Sequence, residues 1–176
     1  MKKLLLTAIF ISFAGVAAFA QRFAYVDTEY ILKHIPEYNS AQKQLDALSQ
    51  QWQKEVDGRF AELDKMYKAY QADQVLLTDD MRKRRENEII EKEKAAKDYQ
   101  KQRFGFEGDL FKERTKLIKP IQDRVAKAVQ AVAENQGLDM VFDKNSQVTL
   151  LYASTRLDKS NDVVTRLGYK PGTFAQ

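Results

Sequence analysis

From Glu37 to about Gln74 the larger apolar residues fall at Leu45, Leu48, Trp52, Val56, Phe60, Leu63, Tyr67 and Tyr70. Their spacings of 3, 4, 4, 4, 3, 4 and 3 average close to the helical period. Pro36 fits the first turn of such a helix, and no proline interrupts the stretch from Glu37 to Gln74. A helix of about 38 residues is about 57 Å long, too long for one side of a compact domain of this size, so the pattern predicts a protruding arm. The reversal falls at Val75–Asp80, where Thr78 can cap a returning helix and Asp79 and Asp80 suit its first turn. That helix is expected to run to Gln136. Its lower part carries Leu110, Leu117, Ile121, Val125, Ala128 and Val132 on one face, Pro120 is expected to bend it, and Gly137 to end it.

Short β-favouring runs lie at either end of this hairpin. Arg22–Asp27 and Leu138–Asp143 are predicted strands, and Gln147–Ala153 a third that pairs back through a turn at Lys144–Ser146. Asp27 can cap a brief helix over Thr28–Lys33, and Ser160 a last one before Gly168. The expected fold is α+β: a small β-containing oligomerisation body with a long protruding antiparallel α-helical hairpin. The body comprises residues 21–36 and 117–168, the arm residues 37–116 with its tip near 75–80, and residues 169–176 form a flexible tail. So few strands and short helices give one chain a thin core, which calls for self-association through the body.

The N-terminal segment sets the compartment. Lys2 and Lys3 precede an apolar run from Leu4 to Phe19, and Ala18-Phe19-Ala20 supplies the small-x-small pattern of a signal peptidase site. Residues 1–20 are therefore predicted to be a cleaved signal. Their loss leaves 27 of the 29 Lys and Arg against 25 Asp and Glu. This mixed, nearly balanced charge suits a solvated helical surface and gives no nucleic-acid stripe. The chain has no cysteine, hence no disulfide, thiolate metal site or lipid-modified cysteine.

The distal arm holds the candidate binding chemistry. Phe60, Met66, Tyr67, Tyr70, Met81, Tyr99, Phe104 and Phe106 are candidates for contact with another polypeptide, because aromatic and thioether groups offer adaptable apolar area. The same residues could instead zip the hairpin together. Arg82-Lys83-Arg84-Arg85 forms a basic tip that would attract an acidic client or an anionic membrane surface. Gly105 and Gly108 mark a weak point in the returning helix, and Gly58 another in the outgoing one.

Ala24-Tyr25-Val26-Asp27, Leu117–Gln122, Gly137–Phe142, Val148–Ala153 and Leu157–Val164, in that order around a long hairpin, resemble the Skp/OmpH family of periplasmic chaperones for outer-membrane proteins. Ser160 stands where that family commonly has threonine. The resemblance implies a periplasmic homotrimer whose bodies join and whose three hairpins surround a cavity. Such a protein holds unfolded outer-membrane proteins without ATP. It would place Ala24, Val26, Val141, Val148, Leu150 and Tyr152 in the body or trimer region.

The leading reading is an ATP-independent holdase. The alternative is an envelope structural or adaptor protein whose coiled-coil arm binds a fixed folded partner. An enzyme is not expected: His34 is the sole histidine, at a helix boundary, and no phosphate loop, zinc spacing or cysteine nucleophile is present. Neither a cofactor nor a metal is called for.

Overall fold

The computed structural model describes residues 22–146 and 150–174; the predicted signal and Val148 lie outside them. Among the described residues the first element is strand β1 (Phe23–Val26), whose alternation buries Ala24 and Val26. Helix α1 (Thr28–Lys33) comes next, capped by Asp27, whose Oδ1 accepts the Tyr30 amide at 2.9 Å. Helix α2 (Pro36–Asp73) has its proline in the first turn, as predicted. After the reversal, Thr78 Oγ1 caps α3 (Asp79–Phe104) by accepting the Met81 amide. Helix α4 (Asp109–Gln136) ends at Gly137, which adopts the left-handed conformation with φ 62°. Strand β2 (Met140–Asp143), a 3₁₀ turn at Thr155–Leu157 and helix α5 (Ser160–Arg166) follow among the described residues.

β1 and β2 pair in parallel, Ala24 opposite Val141 and Val26 opposite Asp143. Parallel pairing needs a long crossover, and here the crossover is the whole helical hairpin. The core lies beneath this sheet, where Val26, Ile31 and Ile35 meet Ile121, Val125, Ala128 and Val132 of α4 and Val163 and Val164 of α5. A smaller cluster at the root of the hairpin joins Ala41 and Leu45 to Ile118. Beyond it α2 runs antiparallel to α3, with Glu55 opposite Tyr99, Glu62 opposite Lys92 and Tyr70 opposite Glu86.

Five expectations are corrected. Leu150–Ala153, the described part of the predicted third strand, makes no ladder, and Leu151 and Tyr152 are exposed. The other edge of β1 is met by Asp158, which bridges Tyr25, while the Lys159 amide donates to the Tyr25 carbonyl at 2.9 Å. The returning helix is interrupted at Gly105–Gly108 and runs on through Pro120. The local reason is steric: a Cβ on Gly108 would lie 2.8 Å from the Gln102 carbonyl oxygen, so the turn needs bare backbone there. Glu107, between the two glycines, has φ 55°.

Ser160 is the first residue of α5, not its cap. Its amide and hydroxyl both donate to Asp158 Oδ1, at 2.9 and 2.5 Å, and its Oγ accepts the Asp27 amide at 2.8 Å, tying the last helix to β1. The tail, expected to be loose, docks on the body through Tyr169, Gly172 and Phe174. His34, expected at a surface or boundary, is 1% exposed beneath that tail.

Candidate functional site

The arm's own interface is narrow, because its sequence supplies few apolar groups to it. On α2 the buried residues are Ala41, Leu45, Trp52, Val56 and Leu63, and α3 offers only Ile89 and Ala96. Hydroxyl–carboxylate pairs do much of the remaining joining. Tyr67 Oη donates to Glu93 Oε2 at 3.1 Å, Tyr70 donates to Glu86, and Tyr99 donates to Glu55. The Tyr99 hydroxyl, with help from Gln51, holds the Glu55 carboxyl below the usual range. The Glu93 and Glu86 carboxylates hold the Tyr67 and Tyr70 phenols above theirs. A phenol that keeps its proton remains a donor, so these pairs zip the hairpin.

A braced joint stands beside the interruption in the returning arm. Arg103 spans it with an ion pair to Asp109 at 2.6 Å, and its guanidinium lies 4.8 Å from the Trp52 ring centre and 4.9 Å from that of Tyr99. Phe104 meets Trp52 edge-on at 6.5 Å, and Arg59 covers Tyr99 at 4.1 Å. Arginine favours such faces because a planar cation is attracted to the ring's negative surface.

The eight predicted contact residues therefore divide. Tyr70, Tyr99 and Phe104 are half-buried and engaged across the hairpin, and Phe60 and Met66 are also half-buried. Tyr67 is exposed although its hydroxyl is bonded, Met81 is 53% exposed, and Phe106 projects from the joint at 98%. Four exposed apolar groups of the arm were not singled out from sequence as contacts, Ile90 on α3 among them at 60% exposed. Val75 and Leu76 stand 88% and 81% exposed in the reversal, where turn chemistry masked them, and exposed Phe111 sits one residue off the aliphatic ladder. A large apolar residue out of register with the buried stripe is the signal that could have found Phe111.

The basic tip is also uneven. Arg82 folds back, pairing with Asp79 at 3.2 Å and donating to the Leu77 carbonyl, and Arg85 pairs with Glu88 at 3.2 Å. Lys83 and Arg84 are exposed and make no ion pair among the described residues.

In the body, Ala24 and Val26 are buried within the chain. Val141 lines an apolar groove of about 560 Å³ with Leu32, Val125, Val129, Leu138 and Met140. Leu150 and Tyr152 are exposed. Among the described residues no helix is long and apolar enough to cross a membrane, and no group of three His, Asp or Glu is placed to hold a metal ion.

Comparison with known proteins agrees with this architecture. The family model described as Outer membrane protein (OmpH-like) matches residues 22–167. The crystal structure of a candidate outer membrane chaperone (OmpH-like) from Caulobacter crescentus CB15 superposes with a TM-score of 0.63 at 18% identity. The match covers 89% of this chain and 90% of that one, and it supports the fold. Comparison with curated proteins gives no match.

Proposed function

The chain belongs to the OmpH-like outer membrane protein family, whose place is the periplasm, and we propose that it is an ATP-independent holdase for unfolded outer-membrane protein precursors. The observation that carries this reading is the series of exposed apolar side chains along an arm whose own interface is already closed. Met81, Phe106 and Phe111 all stand outside the hairpin seam, and Tyr67 is exposed beside it. An unfolded client that covers them removes its own apolar surface from water, at about 25 cal/mol per Å² before the entropy of holding it. Many weak contacts of this kind suit clients of different sequence, since none requires a particular partner group.

The proposed working form is a homotrimer. Its bodies join through the groove at Val141 and the exposed Leu150–Tyr152 segment, and its arms, residues 37–116, surround a shared cavity. The groove supports self-association because apolar concavity beside a two-stranded sheet leaves area to cover. Lys83 and Arg84 would draw clients, or an anionic membrane surface, by long-range attraction that weakens with salt. With no nucleotide cycle, release comes from client folding or transfer to a tighter partner.

The test is aggregation of a denatured outer-membrane barrel protein, monitored by light scattering without nucleotide. Near-complete suppression at stoichiometric trimer is expected, and aggregation unchanged by the protein would refute the proposal. Exposed Val75 and Leu76 favour a second reading, an adaptor that grips one folded partner by the tip. Cross-links confined to the tip and to one folded protein would support it over the holdase.

A further inference from the structure

We propose that the C-terminal segment Tyr169–Phe174 is a strap that fastens the root of the arm to the body and limits how far the arm swings. The segment leaves α5 through Gly168, φ 89°, and turns again at Gly172, φ 77°; both values favour glycine and aim the chain back across α1. The Tyr169 hydroxyl then donates to Glu37 Oε2 at 3.1 Å. Glu37 is the second residue of α2, and its other oxygen accepts from Arg124 of α4 at 3.2 Å. One phenol thus joins the tail to the base of both arm helices.

The second fastening is the buried histidine. His34 Nδ1 lies 2.8 Å from the Tyr30 carbonyl, which can only accept, so this nitrogen carries the hydrogen. Nε2 is then left with a lone pair, and the Gly172 amide fills it at 3.0 Å. The same amide reaches the Tyr30 hydroxyl oxygen at 3.2 Å, and that hydroxyl donates to Asn161 of α5. Phe174 closes over both rings, 4.7 Å from His34 and 5.9 Å from Tyr30, while remaining half exposed itself.

The location gives these contacts their effect. His34 and Ile35 are the whole link between α1 and α2, so they are the pivot of the outgoing arm helix, while α4 carries the other side of the root. A turn of about 10° there moves the far end of a helix about 57 Å long by about 10 Å. Tyr169 packs against the margin of the core and Phe174 remains half exposed, so the strap can detach while the fully buried Ile31, Val163 and Val164 stay closed. This inference concerns the arm's freedom alone and does not depend on what the arm binds.

The test uses the full chain with Tyr169→Phe and Phe174→Ser together. The chain lacks cysteine, so Asp80→Cys at the tip and Lys127→Cys in the body accept spin labels at chosen sites, diluted with unlabelled chain to suppress inter-subunit signal. The strap predicts a broader tip-to-body distance distribution. It also predicts at least tenfold faster hydrogen exchange at the Ile35, Tyr38 and Asn39 amides, with Val163 still protected. Unchanged distances and exchange would overturn it. So would acceleration of Val163 equal to that at the pivot, which would make the tail part of the core. If the double variant fails to fold, Tyr169→Phe alone, keeping the Phe174 stack, decides between the same outcomes.

Discussion

Replacing Gly105 with alanine tests whether the interruption in the returning arm is built into the chain. An alanine Cβ would lie 2.3 Å from the Lys101 carbonyl oxygen, the acceptor that already takes the Gly105 amide at 2.8 Å. A carbon beside a carbonyl oxygen ordinarily needs about 3.3 Å, so about 1 Å of movement must be found in backbone. Relief means loosening that last hydrogen bond, worth about 0.5–1.5 kcal/mol, and drawing Phe104 from Trp52, an edge-on pair worth about 0.5–1.5 kcal/mol. Against this stands a gain of about 1 kcal/mol for alanine over glycine if α3 and α4 could merge into one helix. With the joint held in its shape that gain is not realised, and the loss is about 1–3 kcal/mol. Trp52 is the only tryptophan, so its fluorescence reports on the joint directly. The expected outcome is a lower denaturant midpoint and red-shifted emission as Phe104 and Arg103 leave the indole. A higher midpoint with increased helicity would mean that α3 and α4 merge and that the interruption is not built into the chain. Gly58→Ala is the control: a Cβ there meets nothing within 4 Å, so this exposed helical position should gain about 0.5–1 kcal/mol.

The body and the exposed arm have further consequences. Burial raises the Asp27 carboxyl, but the Tyr30 amide, Asn145 and Lys144 together outweigh it and hold the group below its ordinary value. Hydrogen bonding to Arg124 does the same for Glu37. A carboxyl lowered in the folded state contributes stability that is present above its unfolded value and lost as pH falls through its folded one. Unfolding free energy measured by denaturant titration should therefore drop below about pH 4, less steeply in Asp27→Asn. Ile31→Ala, at a fully buried core position, should lose about 2–5 kcal/mol in thermal or chemical unfolding. Phe106→Ser combined with Phe111→Ser should leave the melting temperature nearly unchanged and weaken aggregation suppression severalfold, as measured by the concentration needed for half effect.

Much of this fold is legible from spacing and punctuation because each signal is local. Pro36, Thr78 and Gly137 act on the turn in which they sit, and all three do what their chemistry dictates. The hairpin is legible because a period sustained from Leu45 to Tyr70 admits no other regular structure. What escaped depends on partners distant in sequence. Ser160 has the side chain of a cap, but Asp158 and the Asp27 amide claim its hydroxyl. The tail has a loop composition, yet Gly172 finds a buried imidazole acceptor 138 residues earlier. Pro120 carries the stronger helix-breaking reputation, while the interruption falls at Gly105–Gly108, where Arg103 and Asp109 can brace the turn. The arm's candidate residues divide for the same reason: sequence places Tyr67, Tyr70 and Tyr99 on the arm, and only the opposite helix decides which carboxylate each one meets.

The central claim is that side chains left outside the hairpin seam hold another, unfolded polypeptide. Photo-crosslinkers placed singly at Met81, Phe106 and Phe111, and at buried Val56 as the reference, test it most directly with a denatured outer-membrane barrel protein. Strong cross-links are expected from the three exposed positions, spread along the client and absent once the client has folded. Cross-links at none of the three, or equally to folded and unfolded client, would contradict the claim.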